Sequence, residues 1–179
     1  CDSWHDDFPS KFGMPLTWIN IGIYGFFILA YMNVVLLLTS GAGYSGPTLG
    51  VTIAAITFSA SGQTPRTVWP IALGYVTLSL LTGGICMAAG LPVVWSLSTQ
   101  GYINGFAFAT GLCPFSGRYG WKVGVLAGIL HAVLCPSTAA MHGGFVLYNG
   151  GLTSGLTALL LLPILDFYQA RKKNDLSDD

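Results

Sequence analysis

Apolar residues fall into long runs separated by short polar or Gly-rich breaks. The first run, about Pro15 to Thr39, predicts a helix that crosses a bilayer, because a hydrocarbon core of ~30 Å takes roughly 20 helical residues. Pro15 suits the first turn of such a helix. Gly41–Ser45 predicts a turn, about Gly46 to Ser61 a shorter segment, and Gly62–Arg66 a loop. A third segment runs from about Val68 to Gly90, a fifth from about Trp121 to Ala140, and a sixth from about Leu147 to Tyr168. Between the third and the fifth, Leu91–Gln100 breaks the pattern with Pro92 and a cluster of Ser, Thr and Gln. Pro92 withholds a backbone donor, and Ser96, Ser98, Thr99 and Gln100 are able to satisfy freed backbone groups. Irregular backbone at membrane depth must be covered by protein or line a wet cavity, so a fourth, broken segment is expected over about Leu91 to Phe115. Ser116–Gly120 reads as a loop, and residues 171–179 as a frayed polar tail.

One pattern occurs twice. Gly46-Pro-Thr-Leu-Gly-Val-Thr52 and Gly151-Leu-Thr-Ser-Gly-Leu-Thr157 both read Gly-x-Thr-x-Gly-x-Thr, and each leads into an apolar stretch. On a helix, positions i and i+4 share a face, so each copy presents a Gly pair beside a Thr pair. The offset of 105 residues lays the first segment over the fifth and the second over the sixth, with both pairs crossing in the same direction. An internal two-span duplication is therefore expected, each copy opening a short segment after a Gly-rich turn.

Charge sharpens the membrane reading. Only 8% of the 179 residues are charged, against about 25% in soluble domains. Phe12 to Pro65 and Thr67 to Gly117 carry no charge at all, and Val123 to Leu165 holds only His131 and His142. No soluble surface can be built from such stretches; the chain is expected to be one integral membrane domain. Residues 1–14 form a polar N-terminal segment, 15–168 the membrane part and 169–179 the tail. With six crossings, Lys11, Arg66, Arg118, Lys122 and Arg171–Lys173 fall on one side, which places both termini in the cytoplasm, of a bacterial plasma membrane on this reading. A net charge of zero gives no reason to expect nucleic acid. Cys1, Cys86, Cys113 and Cys135 lack metal-binding spacing. An initial Cys with no initiator Met is read as the start of a fragment rather than of a lipidated chain.

Candidate chemistry is sparse. Gly46/Gly50, Gly101/Gly105, Gly124/Gly128 and Gly151/Gly155 have the spacing that lets membrane helices approach closely. Helix packing is the first reading for Gly46, Gly50, Gly124, Gly128, Gly151 and Gly155. Thr48, Thr52, Thr153 and Thr157 either line a narrow path or bond back to their own helix carbonyls. His131 and Cys135 stand at i, i+4 without further ligands at convincing spacing, so no metal or other cofactor is expected. His142, in Met-His-Gly-Gly, is the better placed of the two histidines for a role, capping being the alternative. Asn33, Asn104 and Asn149 are able to bridge neighbouring helices. Asp residues occur only at 2, 6 and 7 and from 166 onward, Glu is absent, and no nucleophile triad or phosphate loop is present, so an enzyme is not expected.

Two resemblances enter on particular residues. Tyr102-Ile-Asn-Gly-Phe106 through Met141-His-Gly-Gly144, with Leu147-Tyr-Asn-Gly-Gly151 running on to Pro163, resembles the C-terminal part of an uncharacterised bacterial multi-pass family, a domain of unknown function. That likeness implies a missing N-terminal half and no activity. Gly43-Tyr-Ser-Gly-Pro-Thr-Leu-Gly50, a span, and then Gly90-Leu-Pro-Val-Val94 is similar in order and spacing to bacterial urea transporters. In those, Leu-Pro-x-x-Thr-x-Pro-Phe forms a half-helix beside the pore; here Leu91-Pro92 match, Trp95 replaces Thr, and Leu97-Ser98 replace Pro-Phe. The resemblance implies short, broken helices around a central path, with its lining partly changed.

The expected fold is an all-α polytopic bundle of about six segments. The expected function is channel-like or facilitative passage of a small neutral or weakly polar solute, near Thr48, Thr52, Ser98, Thr99, Asn104, His142, Asn149, Thr153 and Thr157. No carboxylate or basic residue in the core is available for proton or sodium coupling, which favours a facilitator. The alternative is a non-transporting membrane subunit or scaffold, packed through its Gly-x-x-x-Gly faces. Its partners are the lipid bilayer, a small solute, and a second copy or the missing half.

Overall fold

The structure, a computed structural model, describes residues 8–38, 43–92, 95–97, 99–141 and 146–175, with side chains at 38, 146–149 and 172–175 excepted. All regular elements among them are helical: α1 (Phe8–Phe12), α2 (Met14–Leu38), α3 (Gly46–Thr57), α4 (Pro65–Ala89), α5 (Gln100–Ala109), α6 (Cys113–Tyr119), α7 (Trp121–Met141) and α8 (Val146–Asp175). Single 3-10 turns extend α3 (Phe58–Ser61) and join α5 to α6 (Thr110–Leu112). Met14–Leu37, Pro65–Ala89, Trp121–Met141 and Gly150–Arg171 are long and apolar enough to cross a membrane, which suggests a membrane protein. The 12 residues of α3 and the 10 of α5 are too short for that, at ~1.5 Å of rise per residue.

Several boundaries differ from the sequence expectation, each for a local reason. The loop at 62–66 ends at Thr64, since Pro65 opens α4 and the Thr64 N–H donates to Thr67 Oγ1 at 3.3 Å, a cap that draws Arg66 into the helix. Ser116–Tyr119, read as loop, belongs to α6, which stops at Gly120 because that residue takes φ +92°. Residues 171–175 continue α8 rather than fraying. The second copy of the repeated motif also departs from expectation: it lies inside the 30-residue α8 and opens no short helix. The first copy does open one, capped by Ser45, whose Oγ accepts the Thr48 N–H at 3.3 Å.

The closest helix pair is α4 with α7. A Cβ added at Gly74 would stand 2.9 Å from the Ile129 backbone N, and one at Gly128 would collide with the Ile71 carbonyl. Two glycines facing each other's partner helix thus set a backbone-to-backbone approach that no larger residue permits. Gly124 adds to it, with Ser116 and Pro70 Cβ atoms 2.8 and 2.9 Å from where its own Cβ would be. At the same end, the Trp69 and Trp121 rings stack 6.1 Å apart and the Tyr119 hydroxyl donates to Asp166 Oδ1 at 2.8 Å. Partial burial, and then the bond to Asp166, hold the Tyr119 phenol above its ordinary pKa. Arg66, Arg118 and Lys122 occupy the first or last turns that meet there.

Candidate functional site around a short central helix

The site is organised by α5, which packs against α3, α7 and α8, and more lightly against α4. Tyr102 through Ala107 and Ala109 are all buried, with Phe108 partly so. A helix covered on every side is a core element, and in a membrane bundle only protein gives such cover. Its N-terminal approach re-enters the bundle. Ser79 Oγ accepts the Leu97 N–H at 3.0 Å and Thr82 Oγ1 donates to the Trp95 carbonyl at 3.2 Å, so α4 side chains satisfy this irregular backbone. The sequence assigned that task to the stretch's own polar residues; among them Thr99 is exposed and bonds only locally, to the Ser96 carbonyl at 2.8 Å.

On the α3 side, Thr48 is fully buried, lies 2.9 Å from Ser45 Oγ, and accepts a hydrogen bond from Gln100 Nε2 at the head of α5. Thr52 is 3% exposed and donates to the Thr48 carbonyl of its own helix at 2.7 Å. On the α8 side, Thr153 is buried and pairs with Thr138 of α7 at 2.6 Å. Thr157 is buried with no hydrogen-bond partner for Oγ1. Asn104 of α5 is 4% exposed, and its Oδ1 likewise has no partner among the described residues. Gln100, Asn104 and Phe108 share one stripe of α5 at i, i+4, i+8. Gln100 meets Thr48 of α3; the Phe108 carbonyl accepts from Ser154 of α8 at 3.0 Å, and its ring covers Gly150. Asn104 therefore stands on the line between the contacts to α3 and to α8. Ser98 and His142 lie outside the described residues; Asn149 falls in the first turn of α8, its side chain not described.

The flank that each repeat buries is the reverse of the packing expectation. Gly46, Gly50, Gly151 and Gly155 are exposed, and a Cβ at any of them would meet nothing within 4 Å. Their Thr neighbours turn inward instead, since a Thr side chain adds methyl packing that Gly lacks, and Thr52 satisfies its hydroxyl on a carbonyl of its own helix. Close approach falls to Gly74, Gly124 and Gly128, and to Gly105, where a Cβ would stand 2.7 Å from Cys135 Sγ.

A second polar link went unread in the sequence. The Tyr75 hydroxyl donates to His131 Nδ1 at 2.6 Å, and His131 Nε2–H donates to the Gly150 carbonyl at 3.2 Å, joining α4, α7 and α8. Tyr102 of α5 donates to the Tyr75 carbonyl at 2.7 Å. With both ring nitrogens engaged, His131 has neither free for a metal. Asn20 and Tyr24 of α2 form a third knot with Gln63, at 2.9 Å to its carbonyl and 2.9 Å to Oε1.

Residues 2–167 match the family described as protein of unknown function (DUF1576). The chain belongs to that family. No curated protein and no solved structure matches it. Membership in DUF1576 brings a shared sequence over most of the chain and no assigned chemistry, so the geometry around α5 is what a functional reading has to rest on.

Proposed function

We propose that the protein passes a small, neutral or weakly polar solute across the membrane along α5, as a facilitator without ion coupling. The observation that carries this reading is the unpartnered Asn104 Oδ1, buried on the stripe of α5 between α3 and α8. A buried acceptor left unpaired costs about 1–3 kcal/mol, and a solute bearing an N–H or O–H would relieve that cost as it passes. Thr157 Oγ1 is a second such atom. The re-entrant approach at 95–97 and the short α3 and α5 also support it, since broken helices mark transporter sites in other membrane folds. On this reading the path is shut where Gln100 holds Thr48 and Thr138 holds Thr153, and opening would part the Thr48–Gln100 contact.

The same reading takes α3 and the stretch from about Leu91 to Phe115 as crossings, six in all, and α2–α3 as related by duplication to α7–α8. In favour of this, both Thr pairs are buried, both Gly pairs are exposed, and the two helices that carry them flank α5. The urea-transporter-like arrangement is proposed on the same elements. Charge places the end bearing Arg66, Arg118, Lys122 and Arg171 in the cytoplasm, of a bacterial plasma membrane on this proposal.

The test is flux. Proteoliposomes should take up members of a panel of small neutral solutes faster than empty liposomes, and Asn104→Leu should abolish the difference while the protein keeps its helical content. Uptake equal to that of empty liposomes for the whole panel would remove the transport reading. A non-transporting subunit is the second reading, favoured by the outward-facing Gly46/Gly50 and Gly151/Gly155 pairs. Self-association lost on Gly50→Leu with Gly155→Leu, together with absent flux, would establish it.

A further inference from the structure

A cavity of about 540 Å³ opens between α2 and α4, away from the Thr-bearing helices. Phe27 and Tyr31 of α2 form one wall, Val76 and Leu80 of α4 the other, and Ser96 with Leu97 close one end. Those last two belong to the approach to α5, latched to the α4 wall by the Leu97–Ser79 hydrogen bond. Through Tyr31 the cavity also reaches α5 directly, because that ring lies 4.2 Å from the Phe106 ring.

The surroundings decide what fills it. On the two helices that wall the cavity, Ile23, Phe26 and Leu37 of α2 and Leu81 of α4 are exposed, and the wall residue Leu80 is itself largely exposed. The opening is thus continuous with the surface these membrane-length helices turn toward hydrocarbon. Water is a poor occupant, since apolar cavities stay dry, and a void forfeits the dispersion contacts of its walls. No charged residue lies between 12 and 65 or between 67 and 117, so nothing on either wall would pair with an ionic head. What fits is a chain with no charge along its length, entering from the side.

We propose that this cavity holds one acyl chain of a bilayer phospholipid, its head group remaining at the membrane surface. The chain would wedge α2 from α4 and press on Ser96–Leu97, so bilayer lipid would touch the tether of the central helix. This stands independently of whether any solute passes.

Trp95, which precedes the lining residue Ser96 in the chain, supplies the reporter. A protein keeping Trp95, with Trp4, Trp18, Trp69 and Trp121 replaced by Phe, is placed in phosphatidylcholine vesicles containing a rising fraction of lipid brominated at mid-chain. Quenching of Trp95 should saturate at a low brominated fraction, as filling of a site does. Ala30→Phe and Val76→Phe, which fill the cavity from opposite walls, should lose most of the quenching. Leu29→Phe, on the outward face of α2, should retain it. Quenching that rises in proportion to brominated lipid without saturating overturns the proposal, whether or not the filled variants fold. Equal quenching in all four proteins overturns it too, as does an unquenched Trp95, the outcome expected if a second copy covers the opening.

Discussion

The decisive residue-scale fact is that buried hydroxyls here are not equivalent. Thr153 has a cross-helix partner in Thr138, whereas Thr157, one turn along the same face, has none. Thr153→Val should therefore cost about 0.6–1.7 kcal/mol, the range for hydrogen bonds between membrane helices. Thr157→Val, which removes an unpaired hydroxyl and keeps the volume, should leave stability unchanged or raise it. Thermal melts of both variants in one detergent check the pair, and an equal loss for both would refute the distinction. None of this was legible in the sequence, where the two positions are indistinguishable members of one motif. Asn104 stood out in the sequence as a polar residue in an apolar run, but its lack of a partner among the described residues depends on how three helices converge. His131 shows the opposite case: its spacing to Cys135 suggested a ligand pair, and its actual partners, Tyr75 and Gly150, lie 56 and 19 residues away.

At the scale of elements, long apolar runs translated directly. The helices α2, α4, α7 and α8 emerged because about 20 apolar residues without charge leave few alternatives in a bilayer. The ends of α4 and α6 were missed because a Thr cap and a left-handed Gly, features of one or two residues, set them. Facing was missed for a different reason. A Gly pair and a Thr pair at i, i+4 lie on adjacent flanks, and periodicity does not say which flank meets the core. Ala substitution reads the facing out. Gly128→Ala drives a methyl into the Ile71 backbone and should destabilise by about 1–3 kcal/mol, as overpacking does. Gly50→Ala meets open space and should gain up to ~1 kcal/mol from helix propensity. Denaturant or thermal titration of the two variants should move in opposite directions.

For the whole molecule, the described basic side chains of α1, α4, α6 and α7 stand at helix turns near one end, where α2, α4 and α7 start and α8 finishes. The opposite end, where α2 and α4 finish and α3 starts, has no charged residue in its sequence at all. If the proposed orientation holds, a Cys placed at Lys122 in a background without native Cys should react with a membrane-impermeant maleimide only after cells are opened. A Cys at Ser45 should react in intact cells. The reverse pattern would invert the topology without altering the fold.

The total enclosure of α5 also imposes an order of assembly. Protein synthesis delivers α2, α3 and α4 before α5, while α7 and α8, which supply much of its cover, come later. For that interval Asn104 has hydrocarbon or the insertion machinery on the side where α8 will be, while Gln100 already has Thr48 of α3. A nascent chain halted before Val146 would thus present a bare polar side chain at membrane depth, the kind of lesion that membrane quality control removes. Among these helices, the one made after the rest closes the centre.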